Sequence, residues 1–313
     1  MKLMWILTGI VVAGILLVLL MSYLCFRLAF FVTRWAKQKP IGLPDNEIYG
    51  KYREQINKWA MQTREIPSQE VEITSFDGLN LRGLYYEYAP GAPIELMFHG
   101  YRGSAERDLA GGVQRCFKLG RSALIVDQRC SGKSQGNVIT FGILEHKDCL
   151  KWVDFMIDHF GADVKIYLCG ISMGAATVLM AAGEELPKNV VGILADCGYT
   201  SPKEIIQTVI QGVGLPPKAA YFFVKLGAKL FGRFDLEETS PVEAVAKCKV
   251  PVFFIHGEED TYVPCEMSRK NYEACASRKK LMTVPGAAHG LSYPVAEKEY
   301  LQAVGDFFSQ EIA

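Results

Sequence analysis

Lys165-Ile166-Tyr167-Leu168-Cys169-Gly170-Ile171-Ser172-Met173-Gly174-Ala175-Ala176-Thr177-Val178-Leu179-Met180-Ala181-Ala182 is the stretch on which the reading of this chain turns. Its first half is a short apolar run of the kind that forms a buried strand. Its second half is small and apolar, like a buried helix. Between them stands Gly170-Ile171-Ser172-Met173-Gly174. A bare G-x-S-x-G string is common by chance, and the strand before it and helix behind it are what give it meaning. A serine on so tight a turn needs glycine on both sides, because a Cβ there would clash with the strand or the helix. The turn exposes the hydroxyl and sets the backbone N–H of Met173 at a helix N-terminus, where negative charge is stabilised.

A serine hydroxyl is a weak nucleophile and needs a base within reach. The five histidines are His99, His146, His159, His256 and His289. His146 and His159 fall on a predicted helix and read as packing or surface residues, and His256 ends a strand just before Gly257. His289 follows the last predicted strand in Val284-Pro285-Gly286-Ala287-Ala288-His289-Gly290, a loop of small residues that leaves the ring free to turn inward. It is the expected base. The acid belongs after the penultimate strand in the chain order Ser, Asp or Glu, His. Glu258, Glu259 and Asp260 stand there, and Asp260 is favoured because it ends the turn; Asp196 is the outsider. The loop His99-Gly100-Tyr101-Arg102-Gly103-Ser104 offers a second oxyanion donor, the N–H of Tyr101, beside that of Met173. Losing one such donor typically lowers a rate by about 10²–10³.

Outward from this centre, short apolar runs alternate with helical stretches from Val71 onward. Strands are expected at Val71–Thr74, Leu81–Tyr88, Ile94–Phe98, Ala123–Val126, Ile166–Cys169, Val190–Ala195, Val252–Ile255 and Leu281–Val284. Such alternation predicts an α/β fold whose mostly parallel sheet is covered on both faces. Thr200 to Val245 interrupts it with a helical pattern and no strand, and is expected to form a cap above the carboxyl edge of the sheet, where ligands bind in such folds.

At the other end, Trp5 to Phe26 carries no charge and is long enough to cross a bilayer as a helix. It is longer than the apolar region of a cleaved signal peptide and ends in Tyr23-Leu24-Cys25-Phe26, so an uncleaved anchor is expected. Arg27, Arg34, Lys37 and Lys39 follow it, which places the remainder in the cytoplasm by the positive-inside tendency. Nine cysteines without a C-x-x-C pair fit a reducing compartment and exclude a zinc ribbon. The 34 basic residues balance the 34 acidic ones, so no nucleic-acid partner is indicated. The expected organisation is residues 1–32 as transmembrane anchor, 33–70 as a juxtamembrane connector broken by Pro40 and Pro44, and 71–313 as the catalytic domain, with the cap at about 200–245.

Gly170–Gly174, His99–Ser104, the stretch Asp127-Gln128-Arg129-Cys130-Ser131-Gly132-Lys133-Ser134-Gln135-Gly136, the run from Ser240 to Pro264 and the final His289-Gly290 resemble the α/β-hydrolase superfamily. The likeness is to its bacterial esterase and serine-peptidase-like branch and to the eukaryotic α/β-hydrolase-domain proteins. It covers Val71 to the C-terminus with the motifs in the family's order. The resemblance implies an eight-stranded sheet and hydrolysis of ester, thioester or amide bonds without metal or organic cofactor. Cys130 stands where the family's D-x-R-G-x-G-x-S stretch has glycine. Gly132-Lys133-Ser134 imitates the end of a phosphate loop, but Asp127 occupies the place of its first glycine. Lys225, Lys229 and Arg233 recur every four residues in the cap and read as a solvated face. The expected substrate is a small acyl ester or lipid-like molecule. The rivals are a serine peptidase with the same triad and a silent hydrolase fold that binds a ligand at the membrane.

Overall fold

The computed structural model describes residues 1–33, 37 and 47–309. Eight strands form one sheet: β1 (Gln69–Thr74), β2 (Asn80–Tyr86), β3 (Ile94–Phe98), β4 (Ser122–Val126), β5 (Ile166–Ile171), β6 (Val190–Asp196), β7 (Val252–Gly257) and β8 (Lys279–Val284). Their spatial order is β1-β2-β4-β3-β5-β6-β7-β8. β2 is antiparallel to both β1 and β4, and every other pairing is parallel. The turn between β1 and β2 closes at Asp77-Gly78, where Gly78 adopts φ 87°. This is the α/β-hydrolase architecture.

The helices that matter to the site are α1 (Lys2–Ala29), α2 (Glu47–Gly50), α3 (Arg53–Glu65), α4 (Ala105–Asp108), α5 (Ala110–Lys118), α6 (Glu145–Phe160), α7 (Met173–Ala181), α8 (Pro202–Gly212), α9 (Pro217–Gly227), α10 (Pro241–Val245), α11 (Cys265–Ala274), α12 (Ser292–Val295) and α13 (Glu297–Phe308). Alternate residues of each central strand point to opposite faces. Leu96, Phe98, Leu124, Val126, Leu168 and Phe254 therefore pack with Trp152 and Met156 of α6 and Val178 and Leu179 of α7. Met97, Ile125, Tyr167, Leu194, Phe253 and Ile255 pack with Val113 of α5 and Val304 and Phe308 of α13. Both faces are dry, which is why the strands read as unbroken apolar runs.

The cap helices start where Ser-Pro pairs allow a helix to begin. Ser201 and Ser240 accept the N–H groups of Glu204 and Glu243, with Pro202 and Pro241 opening α8 and α10. Between them α9 runs into a short π-helical segment, Ala228–Gly232. Cap residues Ile205, Ile206, Tyr221, Val224 and Phe234 share a core with Met173, Val263 and Met267, so the insertion closes over the residue after Ser172.

α1 is the one helix among the described residues long and apolar enough to cross a membrane. It does not end as a free tether. Phe26, Phe30 and Val32 are buried in the cap core, and the N–H of Val32 donates to the Asn137 carbonyl at 2.8 Å. Part of the connector also docks: Trp59 of α3 is buried with its ring against Gly111 of α5, and Thr63 donates to the Ala110 carbonyl at 3.1 Å. Pro40 and Pro44 lie outside the described residues, as do Arg34 and Lys39.

A buried ion cluster is anchored in the middle of the sheet. Glu95 of β3 is fully buried and pairs with Arg115 of α5 and, at 2.7 Å, with Arg121 before β4. Burial works against its charge, but the two guanidinium groups prevail and hold it at about 2, below its ordinary 4.5. A lowered carboxylate stabilises the fold above its unfolded value, and that contribution is lost as pH falls through the folded one. Glu95→Gln is therefore expected to cost about 3–5 kcal/mol at neutral pH by leaving two buried cations unpaired. Denaturant unfolding checks this, and the variant's stability should fall less steeply than the parent's between pH 4.5 and about 2.

Candidate active site

The site is built at the carboxyl ends of neighbouring strands, beginning with the turn after β5. Ser172 adopts φ 57° and ψ −117°, outside the regions open to most side chains. Two close approaches require this turn to be flanked by glycine. A Cβ on Gly170 would run into the Gly174 carbonyl, and one on Gly174 would strike the Phe98 carbonyl at the end of β3. The N–H of Ser172 donates to the Asp196 carbonyl at 2.9 Å, which ties the turn to β6.

β7 and β8 deliver the acid and the base. His289 Nε2 lies 2.9 Å from Ser172 Oγ, and His289 Nδ1 lies 2.6 Å from Asp260 Oδ2. With Nδ1–H donated to the carboxylate, Nε2 is the acceptor that faces the hydroxyl. Asp260 Oδ1 accepts the N–H groups of Tyr262 and Val263, each at 2.9 Å. Burial pushes the Asp260 carboxyl up, but hydrogen bonds from His256 and His289 more than offset it and hold the group well below the usual carboxylate range. Asp260 is thus an anion aimed at the imidazole.

Two residues beside the acid and the base were not legible in the sequence as site residues. His256 is fully buried, with Nε2 donating to the Val263 carbonyl at 2.8 Å and lying 3.2 Å from Asp260 Oδ2. Its Nδ1 meets Ser268 Oγ of α11 at 2.6 Å, so a second imidazole braces the far side of the acid. Tyr49 of α2 donates its hydroxyl to the His289 carbonyl at 2.6 Å and packs with Ala288 and Leu291. Asp196, the outsider for the acid, instead accepts from Ser292 at 3.0 Å and Tyr300 at 3.2 Å, holding α12 and α13 beneath the His289 loop. Glu258 and Glu259 are exposed, and Glu258 accepts from Thr283 at 2.6 Å.

The expected oxyanion donors come together through register. Phe98 of β3 pairs with Gly170 of β5, so the loops leaving both strands run side by side. A Cβ on Gly100 would lie 3.5 Å from that of Ser172, and Tyr101 follows immediately. The N–H of Met173 opens α7, where the first N–H groups have no acceptor inside the helix. His99 secures this loop from below: its Nε2 accepts the Gln128 N–H at 3.1 Å, which leaves Nδ1 as donor to the Gly100 carbonyl at 2.8 Å.

From above, the loop grips the end of α1. The Tyr101 hydroxyl donates to the Ala29 carbonyl at 2.7 Å, while Arg102 donates to the carbonyls of Leu28 at 2.8 Å and Phe31 at 3.3 Å. Those of Leu28 and Ala29 are carbonyls that a helix end leaves without partners, and Phe31 lies just beyond that end.

The floor loop carries its own strain. Cys130 has φ 70°, in the left-handed region that favours glycine, and its buried thiol fills space in the cap core. Asp127 accepts the N–H groups of Ala105 and Lys133, both at 3.0 Å, and Lys133 pairs with Glu70 at 2.6 Å, so Gly132-Lys133-Ser134 is not arranged to cradle a phosphate. A cavity of about 860 Å³ lined by Phe31, Val32, Thr33, Lys37 and the Gly132–Asn137 loop touches none of Ser172, Asp260 and His289.

Among the described residues, one group of metal-type donors comes together: Cys197, Asp260 and His289, within 4.8 Å of one another. Asp260 and His289 are already bonded to each other, and burial pushes the Cys197 thiol well above its ordinary value.

Comparison with known proteins adds the lineage. The model of the prolyl oligopeptidase family matches residues 141–313. YqkD of Bacillus subtilis (strain 168), itself uncharacterized, is 29% identical over 194 residues, which are 60% of this chain and 62% of that protein. Protein bem46 of Schizosaccharomyces pombe is 24% identical over 250 residues, 77% of each chain. Among solved structures, the esterase Pf2001 of Pyrococcus furiosus superimposes with a TM-score of 0.66 at 23% identity, covering 90% of this chain and 98% of that one.

The turn itself can be tested without any substrate. Gly174→Ala is expected to destabilise the protein by about 3 kcal/mol, the upper end for overpacking, because the added methyl meets rigid backbone. Equilibrium unfolding in denaturant measures it, and a cost within about 0.5 kcal/mol, the range of ordinary surface changes, would contradict the close approach.

Proposed function

The chain belongs to the prolyl oligopeptidase family, and from that premise we propose that it is a membrane-anchored serine hydrolase that cleaves carboxylic esters through an acyl-enzyme on Ser172. The observation that carries this reading is the unbroken chain Ser172–His289–Asp260, with links of 2.9 and 2.6 Å. In the first half-reaction Ser172 Oγ bonds to the substrate carbonyl carbon while its proton passes to His289 Nε2. Asp260 keeps the ring oriented and stabilises the imidazolium. The N–H groups of Tyr101 and Met173 receive the oxyanion. The carbon–oxygen bond to the leaving alcohol then breaks as His289 returns the proton to that alcohol. Water repeats the sequence on the acyl group, releasing the acid and restoring the serine.

An ester is favoured over a peptide by what surrounds the triad. The Tyr262 ring lies 5.8 Å from that of His289, and Tyr101 packs on Phe141 with centroids 5.1 Å apart. Behind Ser172, Met173 packs into an apolar core shared with the cap. A peptidase would want a charge placed to hold its substrate's backbone or terminus. The esterase named among the structural relatives supports the same choice, while the family's own name keeps the amide reading as its rival.

The anchor reading rests on α1, whose residues up to Val12 are all exposed, with no protein packed against them. The basic residues after it favour a cytoplasmic domain. The nine free cysteines fit that compartment.

Purified full-length protein in detergent should hydrolyse p-nitrophenyl esters and react with a fluorophosphonate probe. Ser172→Ala is expected to lower kcat by about 10⁶ and abolish labelling, and Asp260→Asn to lower kcat by about 10⁴ with the fold intact. Undiminished labelling of Ser172→Ala would sink the nucleophile. Absence of labelling in the parent would favour a silent binding fold.

A further inference from the structure

The length of α1 and the point where it enters the cap together fix where a bilayer surface would lie. At about 1.5 Å per residue, the stretch from Lys2 to Met21 reaches about 30 Å, the thickness of a hydrocarbon core. Directly after it, Ser22 is fully buried. Its carbonyl sits where a Cβ on Gly227 would go, and Phe26 packs beside Gly227 and Gly232. The Tyr23 ring meets Phe231 edge-on at 5.3 Å. A bilayer crossed by residues 2–21 thus ends level with the last turn of α9 and the π-helical segment.

The cap is not polar there. Phe222, Leu230 and Phe231 are exposed, as are Tyr23, Leu24 and Leu28 on α1, and the Tyr23–Phe231 contact joins the two sets. Arg27, Lys229 and Arg233, neighbours in sequence of Leu28, Leu230 and the π-helical segment, are exposed too. Lys225, which continues their spacing, is instead paired with Glu237 at 2.5 Å. Apolar side chains fringed by cations and continuous with a membrane-crossing helix suit the boundary between acyl chains and anionic headgroups. A soluble protein partner would have to share this face with the lipid around α1.

Behind the patch, apolar side chains lead to Ser172. Phe30 packs edge-on against Phe141 with ring centroids 5.7 Å apart, and Phe141 packs on Tyr101, whose hydroxyl holds the Ala29 carbonyl. Building on the hydrolase reading above, we propose that this face of the cap lies in the headgroup and upper acyl layer of the membrane that α1 crosses, and that the substrate is an acyl ester resident in that membrane rather than dissolved in water. The ester carbonyl of such a molecule lies near the headgroups, on the side where α1 delivers the Tyr101 loop.

The test uses the full chain in vesicles of mixed phosphatidylcholine and phosphatidylglycerol. Two substrates are compared: water-soluble p-nitrophenyl acetate and p-nitrophenyl palmitate dissolved in the bilayer. The double variant Phe222→Glu, Leu230→Glu alters exposed side chains only. It should leave the acetate rate unchanged and lower the palmitate rate by about tenfold or more, equivalent to about 1.4 kcal/mol. An unchanged palmitate rate, or equal slowing on both esters, overturns the substrate assignment. If the parent cleaves neither ester, the hydrolase reading and the substrate assignment fail together, and the docking face is judged by a measurement free of catalysis. In vesicles of brominated phosphatidylcholine, the fluorescence added by Phe222→Trp should be quenched. That added by Tyr88→Trp, an exposed position at the opposite end of the sheet beside Ser122, should not. Equal quenching of the two variants overturns the docking face.

Discussion

The arrangement depends on one contact between backbones: Gly174, the second residue of α7, lies against the carbonyl at the end of β3. That approach lets the helix start immediately after the strand, and it forces Ser172 into a conformation that most residues avoid. A backbone held at such φ and ψ costs on the order of 1–3 kcal/mol and persists only when its surroundings over-determine it. Here they do. β5 is fixed between β3 and β6, α7 is buried along its whole length, and the Ser172 N–H is bound to β6. The strain orients a hydroxyl toward His289 and leaves the first N–H of a helix facing the same space. A looser turn would hold neither group in place.

Asp260 obeys the opposite logic, being stabilised by partners rather than strained by neighbours. A buried carboxylate is unfavourable unless hydrogen bonds replace its water. Two backbone N–H groups and two imidazoles surround this one. The result is an anion with little freedom to move, and the geometry of His289 follows from it. His256 extends the bracing to α11 through Ser268, so the acid is referenced to the body of the domain and not to its loop alone.

The inner strands were readable because they are buried on both faces, which turns burial into an apolar run such as Ala123–Val126 or Val252–Ile255. The turn at Ser172, the loop at His289 and the Asp260 segment were readable because their residue types and order are constrained by local geometry. What escaped the sequence depends on contacts between distant segments. Nothing near Tyr49 distinguishes a tyrosine that reaches the His289 loop from one on a polar connector. Trp59 looks like any aromatic residue in a charged helix, although it seats α3 on α5. His256 stands at the end of a strand with nothing in its neighbourhood to mark it as part of the site, and only the fold brings its ring to Asp260. Glu95 lies in an apolar strand whose pattern carries no sign that two arginines would arrive from elsewhere.

The end of α1 is the most instructive case. Hydropathy cannot separate apolar residues facing lipid from those facing protein, because both are selected for the same chemistry. Leu16 and Phe26 read alike, yet one is exposed and the other is enclosed by Gly227, Gly232 and Phe231. The difference comes from glycines in the cap that let α1 approach closely, and from Tyr101 and Arg102, which take up the carbonyls at its C-terminus. Those two residues belong to the loop that passes beside Ser172. Displacing the helix end would therefore break these bonds or pull on the loop, since the carbonyls of Leu28, Ala29 and Phe31 accept from Tyr101 and Arg102. In this fold the apolar helix and the site share a boundary, the loop of Tyr101 and Arg102.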